Sequence, residues 1–181
     1  MFSIMGSGQT FLTLMALMLM GRLIIGTNSS VLNTGSGKDM AEYSITATSL
    51  GVSVIERAKA LAFDAASVDT FITAARINEL TPSNQLGPEI GETGSAMFND
   101  IDDYNKYSRF DTIPNSAIFK TAVKVSYVNV ASNVMTTTTS KTFKKMITVY
   151  VTSDYLVDYT MNPPTKDTLT FRTVFSYWYF R

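Results

Sequence analysis

Hydrophobic and polar positions fall into three patterns along the chain. From Phe11 to Ile25 the sequence FLTLMALMLMGRLII is almost wholly apolar, with Arg22 its only charge. As a helix, Met1–Ile25 rises ~37 Å at about 1.5 Å per residue, enough to cross a hydrocarbon core of roughly 30 Å. Gly26–Lys38, GTNSSVLNTGSGK, has three glycines among Thr, Asn and Ser. These residues favour turns and caps over helix interiors, so a break is predicted there. Asp39 with Glu42 three residues on is a helix-start signal. It opens a second helix over Asp39–Phe63, with apolar Met40, Tyr43, Ala47, Leu50, Val54, Ala58, Leu61 and Ala62 near the 3.6-residue period. Ile45, Val52, Ile55 and Phe63 fall off that stripe, so two faces need partners. Ala47–Gly51 and Ala58–Ala62 are small-xxx-small pairs that allow close helix packing.

Beyond the helices the pattern changes. Ser67–Leu80 reads as a short helix stopped by Thr81-Pro82, and PSNQLGPEIGETGS as loop. Ile118–Val130, Phe143–Thr152 and Thr168–Phe180 are β-branched, aromatic and partly alternating. They predict an antiparallel meander with one face buried on the second helix. Their connectors, ASNVMTTTTS and SDYLVDYTMNPPTK, read as polar loops, the threonines 136–139 included. The expected fold class is α+β: an N-terminal helical rod of residues 1–65, with residues 1–26 as its apolar membrane segment, packed on an antiparallel β-sheet head of residues 66–181.

Composition narrows the chemistry. The 181 residues contain no Cys and no His, which removes disulfides, the usual general base and the commonest transition-metal ligand. Lys+Arg and Asp+Glu are both 15, so net charge gives no argument for nucleic acid, and none is expected as a partner. Residues 56–116 hold ten acids and five bases, residues 117–181 three acids and eight bases. The acidic run NDIDDYNKYSRFD is expected to be a solvated loop. Asp100, Asp102 and Asp103 are the candidate calcium ligands, although the spacing misses the helix–loop–helix pattern. Paired acids there also raise a glycosidase reading, with no further residue in its favour. Gly35-Ser36-Gly37-Lys38 resembles the end of a phosphate-binding loop, but Leu32 stands where the first glycine belongs and Asp39 where Ser or Thr belongs. The chain is expected not to be an enzyme.

A cleavable signal peptide fits poorly, because no basic residue precedes the apolar run and no A-x-A-like site follows. The layout of a short glycine-containing leader (Gly6, Ser7, Gly8), an apolar helix, an amphipathic helix and a β-rich head resembles the type IV pilin superfamily. Members normally carry a basic residue and glycine at the leader cut and a glutamate just inside the helix. Here neither Gly6 nor Gly8 follows a basic residue, and the first acid is Asp39. The resemblance implies a structural subunit held in the inner membrane, then polymerised with copies of itself into a helical filament at the cell surface by pilus-type machinery. The filament-core residues it implies are Phe11, Leu12, Leu14, Met15, Leu17, Met18, Leu19, Leu23, Ile24 and Ile25; Ala47, Gly51, Ala58 and Ala62 would pack helices. The alternative is a membrane-anchored module whose head captures a surface or a polysaccharide.

Overall fold

The computed structural model describes residues 7–114, 117–131, 134–158 and 162–180. Gly6 of the leader lies outside them. The chain divides into two compact units, Met1–Glu42 and Tyr43–Arg181, and the class is α+β.

In the first unit the described residues are helical throughout. The helix, α1, is assigned from Ser7 to Lys59 without interruption, so the break expected at Gly26–Lys38 is absent. Three observations account for this. The first 81 residues contain no proline, and a glycine costs about 1 kcal/mol in a helix without forbidding it. The polar side chains also serve the helix instead of competing with it. Thr27 Oγ1 donates to the carbonyls of Leu23 and Ile24 at 3.0 Å, and Thr34 Oγ1 to that of Ser30 at 2.8 Å. Asp39 is accordingly an interior helix residue, not a cap.

In the second unit, Ala47, Gly51, Val54 and Ala58 form the buried face of α1. Their spacing of four, three and four keeps them on one stripe. The stripe is small because the sheet comes close: a Cβ added at Gly51 would lie 2.5 Å from Phe171 Cε2. α1 stops at Lys59, short of the predicted Phe63, and Ala62 instead makes a bridge to Asp100. In place of the helix expected over Ser67–Leu80 there is a 3-10 turn at Ala74–Glu79, preceded by another at Ala65–Ser67.

Five antiparallel strands form one sheet: β1 (Ser108–Thr112), β2 (Ile118–Ala131), β3 (Val134–Thr138), β4 (Lys144–Asp158) and β5 (Thr165–Ser176). The order is β1-β2-β4-β5, with β3 also paired to β2. Phe119, Val123, Val125 and Tyr127 of β2 and Ile147, Val149 and Val151 of β4 alternate into the core with Phe63, Ile72, Leu80 and Ile101. Three expectations are corrected. Residues 153–158, read as part of a connecting loop, continue β4, and Thr165 and Lys166 at the connector's other end open β5. Thr136–Thr138, read as loop, pair with Tyr127–Asn129 as part of β3, because β-branched threonine suits a strand whatever its neighbours. Tyr177–Phe180, read as strand, is a 3-10 turn, and Tyr177 packs there in edge and stacked contacts with Phe63 and Phe143.

Candidate functional site

Two regions carry unusual chemistry. The first is the apolar stretch of α1. The ten predicted filament-core side chains from Phe11 to Ile25 are between 52% and 77% exposed within the chain. A 25-residue span, Gly8–Leu32, is long and apolar enough to cross a membrane, and none of it is buried inside the protein. Arg22 lies within this span and, with α1 continuous, sits mid-helix, not at the helix end. Further along, Ile45 and Val52 remain exposed while Ala47, Gly51 and Ala58 are turned to the chain's own sheet.

The second region is a buried charged cluster in the Tyr43–Arg181 unit, and it overturns the reading of NDIDDY as a solvated loop. Asp64, Asp100, Asp102, Asp103 and Lys145 are all fully buried. Backbone bonds hold the acidic turn inward: Ala62 donates to the Asn99 carbonyl at 3.1 Å, and Ile101 to that of Ala62 at 3.0 Å. Within the turn, Asp100 Oδ1 accepts from the amides of Asp102 and Asp103, and Asp103 Oδ2 from those of Asn99 and Asp100. Asp and Asn side chains bond their own backbone readily, and here that turns carboxylates toward the core.

Lys145, an inward position on β4, closes one half of the cluster. Its Nζ donates to Asp64 Oδ2 and to the Phe63 carbonyl, both at 2.7 Å, and to Asp102 Oδ1. Nζ also lies 4.7 Å from the Phe63 ring centroid and 5.4 Å from that of Tyr127. The Tyr127 hydroxyl donates to the Thr81 carbonyl at 2.8 Å and contacts Asp64 Oδ2 at 3.2 Å. Burial, then the Asp64 charge, raises its pKa well above the usual phenol range.

Among the described residues no salt bridge reaches the other half. Glu89, Asp100 and Asp103 each bring a carboxylate oxygen within 4.8 Å of the others, with Glu89 exposed and the two aspartates buried. Gly87 and Gly91, at φ +142° and +108°, bracket Glu89; those backbone angles favour glycine and shape the loop that carries it. Burial, then the Asp102 charge, pushes Asp100 up to about 9, and burial with its acidic neighbours pushes Glu89 up to about 7. Burial raises Asp103 as well.

Of the three predicted calcium ligands, the structure brings Asp100 and Asp103 together, while one Asp102 oxygen is spent on Lys145. Glu89, eleven residues before Asp100 in a loop rich in proline and glycine, had no sequence signal linking it to the acidic turn. Nor did Asp64 or Lys145, although a lysine on the apolar face of a strand was a visible anomaly.

No protein family, curated protein or solved structure matches this chain.

Proposed function

We propose that the chain is the structural subunit of an extracellular helical filament, held in a membrane before assembly and polymerising through the apolar part of α1. The observation that carries this reading is the exposed run Phe11–Ile25. Fully burying one such side chain from water is worth about 1.5–3 kcal/mol. For the ten residues the total is on the order of 15–30 kcal/mol against water, and less against lipid. A patch of that size aggregates or finds a partner. Lipid covers it before assembly and the same helix of other copies covers it afterwards, through a heterologous contact that does not close on itself. The resemblance to the type IV pilin superfamily supports the reading, and pilus-type assembly machinery would move the chain between the two environments. The work is packing, with no enzymatic step and no nucleic-acid partner.

One observation favours the second reading, an anchored surface-binding module. The sheet face away from α1 carries a cavity of about 870 Å³ lined by Lys124, Thr148, Tyr150, Arg172, Met135 and Met146. Such a mixed cationic and aromatic floor suits an acidic polysaccharide. Electron microscopy of sheared cell-surface material with antibody to this chain separates the two. Labelled filaments support the subunit; label confined to single copies in membrane, with no filaments, overturns it.

A further inference from the structure

We infer that Glu89, Asp100 and Asp103 form a calcium site that locks the acidic turn onto the head. The argument begins with charge. Four carboxylates, those of Asp64, Asp100, Asp102 and Asp103, are fully buried, and among the described residues Lys145 is the one buried cation. Its Nζ pairs directly with Asp64 and Asp102, and its charge reaches Asp100 only at longer range. Asp100 faces the charge of Asp102 and Asp103, and Asp103 also that of Glu89 and Glu92; an uncompensated buried carboxylate is costly.

The second observation is independent of the charge count. Asp100 Oδ2 and Asp103 Oδ1 are buried atoms without a hydrogen-bond partner, although the other oxygen of each carboxylate accepts two backbone amides. Backbone bonding thus fixes both groups and leaves one oxygen of each with no N–H or hydroxyl donor among the described residues, against the carboxylates of Asp102, Glu89 and Glu92. Glu89 supplies a third carboxylate from the exposed side, so an ion reaches the site from solvent without opening the core.

The donor chemistry selects the ion. All three ligands are hard carboxylate oxygens, and no His or Cys exists in the chain. Calcium takes 6–8 oxygens at about 2.3–2.6 Å in flexible geometry, so the three carboxylates and bound water fill its shell. Magnesium demands stricter octahedral order and dehydrates reluctantly. A divalent ion here offsets the charge that Lys145 leaves unpaired, and it ties the loop bearing Glu89 to the turn bearing Asp103.

The test uses the full-length chain in detergent micelles after chelation. Tb³⁺ is added first, with excitation of tyrosine, because Tyr104 adjoins Asp103 in the turn. Sensitised emission that calcium displaces, with one ion per chain and a melting point raised by calcium but not by equal magnesium, is the expected result. Glu89→Gln changes an exposed side chain and leaves the buried turn in place; because Glu89 is a direct ligand, it is expected to weaken calcium binding by at least the roughly tenfold loss that altering an outer-shell partner brings. Asp103→Asn is expected to abolish binding. No saturable calcium binding up to about 10⁻³ M, the range of weak extracellular modules, would overturn the assignment and leave shared protons as the balance of charge. Unchanged affinity in a folded Glu89→Gln chain would overturn it too.

Discussion

Between Phe11 and Ile25 the large apolar side chains lie on the outside of α1, whereas in the unit from Tyr43 onward charged groups lie at the centre. Each arrangement inverts the ordinary rule that apolar groups go in and charges stay out. The inversions differ in where their compensation comes from. The second unit supplies most of its own: Lys145, the Phe63 carbonyl, Tyr127 and Thr81 surround Asp64, and backbone amides serve Asp100 and Asp103. Among the described residues, none of the apolar stretch of α1 is buried. On the proposed reading the exposed apolar surface is covered by lipid or another copy, whereas the buried charge is balanced within the fold.

The largest effect is expected from Leu14→Asp. A carboxylate at the centre of a membrane helix costs about 2.5–3.5 kcal/mol on insertion scales, and every copy in a bundle carries its own. Assembly is expected to be lost while circular dichroism stays that of the parent, since the substitution lies outside the Tyr43–Arg181 unit. Normal sedimentation of assembled Leu14→Asp would break the comparison from the side of α1. Removing residues 1–38 is expected to leave a soluble, monomeric, β-rich protein by the same two measurements.

From the side of the head, Lys145→Met keeps the side-chain volume but strips Asp64 and Asp102 of their cation. Breaking a buried pair at one partner costs about 3–5 kcal/mol, read as a lower denaturant midpoint. Adding Asp102→Asn to Lys145→Met is expected to recover part of it. A near-neutral Lys145→Met would mean that the buried charges are not coupled.

Gly51→Ala comes next. Alanine is the better helix former by about 1 kcal/mol, yet its Cβ would press on the Phe171 ring. Overpacking costs about 1–3 kcal/mol, so thermal melting is expected to show net destabilisation, relieved by Phe171→Leu. The smallest effect on the fold belongs to Ile45→Ser. Ile45 is 71% exposed, so the unfolding free energy is expected to stay within about 0.5 kcal/mol. Any larger loss in the assembled state than in the isolated chain assigns that face to a neighbouring copy.

The helical apolar stretch and the three main strands were legible because their signals are local: a long apolar run in one case, two-residue alternation in the other. Single glycines misled in Gly26–Lys38, since a propensity penalty of about 1 kcal/mol each is too small to break a long helix lacking proline. The Thr run misled by composition, as threonine serves loop and strand alike and pairing with β2 decides between them. The burial of Asp100–Asp103 was illegible for a different reason. Nothing near those acids reveals Lys145 some forty residues on, or Glu89 across a loop, and only the fold brings them together. The small residues Ala47, Gly51 and Ala58 were legible as a close-packing stripe and the sheet as the partner of their helix, while the ring that meets Gly51, Phe171, was not.

The absence of native cysteine permits the most direct test of the central claim that α1 packs against α1 of other copies. Cysteine is placed singly at each position from Phe11 to Ile25, and intact cells are treated with a mild oxidant. The account predicts disulfide-linked dimers of the chain that recur with a period near 3.6 residues and vanish in the Leu14→Asp background. Surface material that contains the chain yet shows no dimer at any of these positions would contradict it.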